Sequence, residues 1–252
     1  MRAVLLVNNP LTTLAGYRGL GLLGSFKRHL KRISRFYDKI YLLTGDRREF
    51  KLVDKVVHVP IKPPRAPRPI AVLFCYVIGT LKAFSIARRC SFIRADGGTV
   101  EVHAVLAAKL ARRPVVMSFR YFNPAYQRGR GLLRELLAPL LLVIVKFCLT
   151  RSDKVIALTR SLGELAVRLG VDESRVIVAP ILIREKTFNP HAYDKEEVKA
   201  RYGFSGYKIV LFVGRLSYEK RVDVLIRAFS ELVREDRRIR LLLVGSGPYE
   251  RK

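Results

Sequence analysis

Short apolar runs alternate with amphipathic segments along most of the chain, the pattern of repeated βαβ units wound into a mostly parallel sheet. Runs rich in Val, Ile and Leu predict strands over residues 3–7, 40–44, 55–59, 92–95, 115–119, 154–158 and 176–179. Seven strands with covering helices make one complete Rossmann-like domain. After the first strand, Leu22, Leu23, Phe26, Leu30 and Ile33 recur at helical spacing, with Lys27, Arg28, Lys31, Arg32 and Arg35 on the opposite side. This predicts an amphipathic and strongly cationic helix over residues 21–36. Further on, Ser161 and Glu164 have the spacing of a capping box, opening a helix that Gly170 stops.

Past Pro180 the pattern loosens. Residues 185–190 read as an exposed connection, and Asp194 with Glu197 caps a short helix ending at Gly203. The domain organisation expected is therefore a first domain over 1–185, a linker with a short helix over 186–206, and a second region over 207–252. That last region predicts strand 207–213, helix 221–235 and strand 240–244, a single βαβ unit. Its helix carries Val222, Leu225, Ile226, Phe229, Leu232 and Val233 on one stripe, more apolar face than two strands can cover. The region is expected to be the beginning of a second Rossmann domain, most of which is missing.

Composition sharpens this α/β reading. Half of the 252 residues are hydrophobic and 27% are charged, which excludes a disordered or fibrous chain. The net charge is +27, and residues 1–170 carry +22 of it. Stretches 1–37, 55–95 and 102–134 contain no acid at all, so a polyanion is an expected partner: nucleic acid, anionic lipid headgroups or a phosphorylated substrate. Zinc-finger, KH and RNP-type patterns are absent, which makes nucleic acid the poorer choice. Cys75, Cys90 and Cys148 lack CxxC spacing, so neither a disulfide framework nor a zinc site is expected, and a reduced cytoplasmic chain fits. Two uncharged runs, 70–81 and 136–145, are shorter than a membrane-spanning helix requires. Each reads either as a helix buried in the domain or as one lying in a membrane interface beside basic clusters.

The chemistry concentrates in Gly214-Arg215-Leu216-Ser217-Tyr218-Glu219-Lys220-Arg221-Val222-Asp223, followed by Leu243-Val244-Gly245-Ser246-Gly247-Pro248. Gly214 ends a strand, and Arg215 and Lys220 flank a loop feeding a helix N-terminus. There the helix dipole and two cations suit a nucleotide diphosphate. Both could also be ordinary solvated cations among the 48 of this chain.

The order of these residues resembles the donor-binding domain of retaining glycosyltransferases of GT-B fold, family four, whose motif reads GRL, two residues, EKG, one residue, D and L, with a later strand ending in GxGP. Upstream, 152–161, 169–180 and Phe188-Asn189-Pro190 resemble the same family. The glycines at 16, 19, 21 and 24 resemble its acceptor-side loop. The resemblance implies a hexosyltransferase that moves a sugar from a nucleotide-sugar to an acceptor with retention, the acceptor being lipid-linked or a polysaccharide or glycolipid. Gly214, Arg215 and Lys220 would bind the donor diphosphate, and Gly19 and Gly21 would flank the acceptor. Arg120, Gly245 and Gly247 would line the cleft, with no metal or other cofactor; the lack of any Asp-x-Asp agrees.

The sequence departs from the family in three places. Arg221 stands where the family has glycine, implying a looser turn or a further cation for the diphosphate. Ile181-Leu182-Ile183-Arg184 replaces Asn-Gly-Val-Asp, and Arg120 replaces a histidine. The family's glutamate pair lies beyond residue 252, so the catalytic residues are unassigned. This chain alone is expected to bind nucleotide-sugar poorly unless a second polypeptide completes it. It is expected to be cytoplasmic and peripheral at the inner face of the membrane, with the cationic helix 21–36 at the lipid surface and the run 70–81 either there as well or buried in the domain. The other expectation left standing is a basic, non-catalytic remnant that binds nucleic acid or membrane.

Overall fold

The computed structural model describes residues 3–7, 13–19, 23–96, 101–120, 132–181, 188–247 and 249–250. The chain divides into two compact units, Met1–Ile181 and Leu182–Lys252.

In the first unit the elements run β1 (Ala3–Val7), α1 (Leu14–Gly19), α2 (Leu23–Ile33), β2 (Lys39–Thr44), β3 (Val56–Pro60), α3 (Arg68–Ala87), β4 (Phe92–Ala95), α4 (Val102–Leu110), β5 (Val115–Phe119), α5 (Leu132–Thr150), β6 (Lys154–Ala157), α6 (Arg160–Arg168) and β7 (Val176–Val178). All seven strands are parallel, in the order β3-β2-β1-β4-β5-β6-β7, with Val4 of β1 opposite Ile40 on one side and Phe92 on the other. Right-handed crossovers decide which face each helix covers. Strand order reverses between β1 and β4, the kind of position beyond whose carboxyl ends open α/β sheets bind ligands.

The pleat sends alternate residues of β1 to opposite cores. Leu5 and Val7 join Cys75 and Ala83 of α3, Val105 and Ala108 of α4, and Val145 and Leu149 of α5. Val4 and Leu6 join Leu14 of α1 and Leu30 of α2 on the other side. β1 is buried along its whole length, which is why it reads as an unbroken apolar run rather than an alternating one.

Three local expectations are corrected. The cationic helix is 23–33, and a separate short helix, α1, precedes it. α1 has a partner distant in sequence: the Leu14 and Ala15 amides donate to the Asp46 carboxylate at 2.8 and 3.2 Å. α6 is capped by Thr159, whose hydroxyl accepts from the Leu162 amide at 3.2 Å, so the helix opens before the Ser161–Glu164 pair. α3 is 20 residues long, well beyond the uncharged run 70–81. Its one lysine, Lys82, turns its ammonium onto the Pro60 carbonyl at 2.7 Å, so the charge does not interrupt the helix.

The second unit holds α7 (Lys195–Arg201), β8 (Lys208–Val213), α8 (Val222–Glu235) and β9 (Ile239–Val244). Asp194 caps α7 by accepting from the Glu197 amide at 2.7 Å, and Gly203 leaves the helix at a positive φ. β8 and β9 form a parallel pair with Lys208 opposite Ile239. Leu216, Val222 and Ile239 are buried, whereas Leu211, Val213, Ile226 and Val244 are exposed.

Candidate functional site

In the second unit five of the sequence-derived residues come together at the carboxyl edge of the β8–β9 pair. Gly214 leaves β8 and Gly245 leaves β9, and the two exits are zipped by backbone. The Gly214 amide donates to the Val244 carbonyl at 3.0 Å, and the Leu216 amide to the Ser246 carbonyl at 3.0 Å. The contact is too close for any side chain. A Cβ at Gly245 would overlap the Gly214 carbonyl oxygen and lie 2.9 Å from its carbon, and φ there is +155°. A Cβ at Gly247 would likewise overlap the Leu216 carbonyl, 2.8 Å from its carbon. The two glycines therefore hold the Gly214–Leu216 strand exit against β9.

From Leu216 the chain passes through Ser217, buried and with no partner for its hydroxyl among the described residues, into a 3-10 turn over Tyr218–Lys220. Arg221 then adopts φ 49° and ψ 41°, the left-handed conformation that glycine takes at low cost. The turn is thus made without glycine, and the expectation of a looser one is corrected. What holds Arg221 there is local. Its guanidinium reaches the Asp223 carboxylate at 3.3 and 3.4 Å and lies 5.9 Å over the Tyr218 ring. Hydrogen bonding and charge from Arg221 keep the Asp223 carboxyl below its ordinary range. Of the three cations at this turn, among the described residues, Arg221 is engaged, Arg215 makes a loose 3.8 Å contact with Glu219, and Lys220 is exposed beside the start of α8. Arg215 and Lys220 are both exposed at this turn.

In the first unit Arg120 follows β5, the strand next to β4 at the strand-order reversal. Its guanidinium binds the Asp96 carboxylate just beyond β4. Ser118 of β5 donates to the same oxygen at 2.9 Å, and Arg94 of β4 reaches it at 3.3 Å. The four residues share the side of the sheet that carries α1 and α2, because positions 94 and 96 alternate with the inward Ile93 and Ala95. Burial alone would raise the Asp96 carboxyl, but the two guanidiniums and the Ser118 hydroxyl outweigh it and hold the group below its usual range. The Arg94 Nε is buried with no partner among the described residues. The cluster is net cationic, with one carboxylate organising two guanidiniums.

Tyr17 of α1 and His29 of α2 lie within electrostatic reach of the cluster. Desolvation raises the Tyr17 hydroxyl, with Arg120 opposing and Asp96 adding. Desolvation lowers the His29 imidazole, Asp96 opposes it, and Arg94 and Arg120 add to it. Gly19 ends α1, and a Cβ there would meet nothing within 4 Å. Gly21 lies outside the described residues, as does Pro248. Among the described residues no three His, Cys, Asp or Glu side chains converge as a metal site would require.

Asp96, Ser118 and Arg94 were not singled out from the sequence. A signal existed: Asp96 stands at a strand end and, with Glu101, fills the short gap between two long acid-free basic stretches.

Comparison with known proteins adds an independent line. Residues 39–181 match the model of the glycosyl transferase 4-like domain, and residues 194–252 match that of glycosyl transferases group 1. The 2-deoxystreptamine glucosyltransferase of Streptomyces kanamyceticus is 26% identical over 146 residues, which is 57% of this chain and 38% of that enzyme. The D-inositol 3-phosphate glycosyltransferase of Nocardia farcinica is 36% identical over 107 residues, 41% of this chain and 23% of the relative. Among solved structures, Anabaena HepE in complex with UDP and glucose superposes with a TM-score of 0.62 at 17% identity, covering 99% of this chain and 62% of that one. That likeness concerns the fold. The chain spans well under half the length of the curated relatives it matches.

Proposed function

Because this chain belongs to the glycosyl transferase 4-like family, we propose that it serves a hexosyltransferase that moves a sugar from a nucleoside-diphosphate sugar to an acceptor hydroxyl with retention at the anomeric carbon. The first unit takes the acceptor and the second the donor diphosphate. The observation that carries this reading is the turn after β8. It is clamped by Gly245 and Gly247, opens onto the N-terminus of α8, and presents Arg215 and Lys220 with little else engaging them.

In the reaction the bond between the anomeric carbon and the diphosphate oxygen breaks, and one to the acceptor oxygen forms. The acceptor proton leaves with the departing diphosphate or to solvent. Negative charge grows on the diphosphate, and two cations with the positive end of α8 stabilise it there. Donor neutralisation in this scheme comes from side chains and needs no metal. A uridine nucleotide is the donor we favour, since HepE was crystallised with UDP and glucose and the E. coli trehalose-6-phosphate protein with UDP-2-fluoro glucose.

On the acceptor side, Arg94 and Arg120 outnumber the one carboxylate between them, which suits an acceptor bearing phosphate. The Nocardia relative named for inositol 3-phosphate supports that choice, and a lipid-linked phosphorylated acceptor at the inner membrane face fits the cationic first unit. A basic, non-catalytic nucleic-acid binder is not favoured, as both family models are those of transferases.

Saturation-transfer NMR, which reads weak binding, tests the donor site with UDP and UDP-glucose. We expect Arg215→Ala and Lys220→Ala each to weaken the nucleotide signal about tenfold, the scale of a lost charge-assisted contact to phosphate. If both variants bind UDP as the parent does, the assignment of this turn fails.

A further inference from the structure

The two faces of the seven-stranded sheet are covered in chemically different ways. On the α1–α2 side, the apolar residues of α2 point inward, with Leu30 buried and Leu23, Phe26 and Ile33 packed on it, and its outer side is basic. The opposite face carries α3, α4 and α5, with α4 packed between the other two. Here apolar side chains point outward as well as inward. On α3, Ile70, Leu73, Val77 and Leu81 follow one another at helical spacing, all more than half exposed. On α5, Leu140, Val143 and Phe147 repeat the pattern, with Val143 at 63% exposure. Between them α4 adds Leu106 and Leu110. Three adjacent helices thus each expose apolar side chains on the same side of the sheet, the kind of grouping that marks an interaction surface.

This surface has a charged border. The three helices run antiparallel to the strands, so their carboxyl ends lie at one edge of the sheet. There Arg88 and Arg89 follow α3, Arg112 and Arg113 follow α4, and Arg151 follows α5, all exposed. The Arg113 guanidinium donates to the Arg88 carbonyl at 3.0 Å, joining two of these ends. Helix carboxyl ends favour such cations, and the row is built into the fold rather than spread over the surface.

From this juxtaposition we propose that the outer face of α3, α4 and α5 docks on an anionic bilayer, with the apolar stripes in the interface and the arginine row among the headgroups. α3 is long and apolar enough to cross a membrane by length and composition. Its other side, however, is committed to the sheet through Cys75, Ala83 and Ala87, so it lies along the bilayer rather than through it. The charge row selects the occupant. A second copy packed symmetrically on this face would bring two arginine rows into one interface, whereas anionic headgroups complement them. The sequence expectation placed the cationic helix at the lipid and left the 70–81 run open between lipid and core, but α2 and α3 lie on opposite faces of the sheet. One flat surface cannot hold both, and the exposed apolar side chains assign it to α3. Docking rests on these observations alone; only its service to a lipid-borne acceptor rests on the transferase reading.

The chain has no tryptophan, so a single introduced indole reports one position cleanly. Leu73→Trp and Val143→Trp probe the proposed face, and Phe36→Trp, just past α2 and exposed, probes the other. With vesicles of phosphatidylglycerol and phosphatidylcholine in equal parts, emission from the first two is expected to shift blue and to be quenched by brominated lipid. Phe36→Trp should show neither effect, and vesicles of phosphatidylcholine alone should bind weakly. Leu73→Glu with Val77→Glu should lower vesicle binding at least tenfold. Arg88→Gln and Arg112→Gln should each lower it about fivefold. Melting temperatures verify that every variant is folded. The proposal is overturned if the Phe36 probe alone responds, if anionic vesicles do not bind, or if sedimentation shows a dimer that Leu73→Glu dissolves while lipid has no effect. No donor or turnover enters these measurements, so their failure leaves the transferase reading intact, and loss of UDP binding leaves the docking face intact.

Discussion

The seven-stranded and two-stranded sheets follow the same βαβ rule but spend their apolar residues differently. In the first unit Leu5 of β1 is sealed between neighbouring strands and a layer of helices, whereas Leu211 of β8, also mid-strand, is 58% exposed. Yet the second unit holds a closely specified stretch of backbone, the turn from Gly214 to Arg221 that Gly245 and Gly247 clamp. Fold stability and site geometry thus have separate sources here. A core of side chains supplies the first, and backbone hydrogen bonds with close glycine contacts supply the second.

The largest expected effect contrasts the two sheets directly. Leu5→Ala should destabilise the first unit by about 3 kcal/mol, the ordinary cost of emptying a packed core position. Leu211→Ala should change the second unit by less than about 0.5 kcal/mol, as exposed substitutions do. Hydrogen exchange followed by mass spectrometry reads the units separately, and equal effects would erase the distinction.

Next comes Asp46, a buried carboxylate that ties α1 to the sheet. His58 Nδ1 accepts from the Phe50 amide at 3.0 Å, which leaves the proton on Nε2 to donate to Thr44 Oγ1 at 2.8 Å. Thr44 in turn donates to Asp46 at 2.6 Å. Burial pushes the Asp46 carboxyl up, but the His58 Nε2–H, 3.6 Å from the carboxylate, and the hydrogen bonds from Thr44, Leu14 and Ala15 outweigh it and hold it below the ordinary value of 3.8. A depressed carboxyl contributes stability that is present above its unfolded value and lost as pH falls through its folded one. Asp46→Ala should therefore cost about 2 kcal/mol at neutral pH. The gap between parent and variant melting curves should close in acid below the ordinary aspartate range.

Gly245→Ala should follow, at about 1–2 kcal/mol of local strain. Its mark is loss of UDP binding with the first unit's exchange pattern unchanged. The smallest effect belongs to Arg221→Gly, which relieves a left-handed residue but gives up the Asp223 pair. A slight rise in the melting of the second unit is expected, and a clear fall would mean that the ion pair outweighs the strain.

Much of this architecture is legible in the sequence, for reasons visible in particular elements. β1, β4 and β5 coincide with the predicted strands because a buried parallel strand is a bounded apolar run, recognisable without its partners. The turn motif was found because its residues are contiguous. What escaped depends on residues far apart in the chain. Asp46 caps α1 across 32 positions, and Asp96 gathers Arg120 across 24. No local pattern encodes either contact. Thr159 took the cap from Ser161 because its extended backbone aims the hydroxyl at the Leu162 amide, a matter of geometry rather than composition. The glycines at 245 and 247 were read as cleft residues, and their steric reason emerged only with the neighbouring strand in place.

The pairing of β8 with β9 does not stop at the strand ends. It continues through the Gly214 and Leu216 amides and on to the Tyr249 amide, which donates to the Leu216 carbonyl at 3.0 Å. A loop fastened on both sides in this way has little conformational freedom left to surrender when a ligand arrives. Association there is spared most of the entropic penalty of ordering a flexible turn, and a modest set of contacts can therefore yield a selective grip.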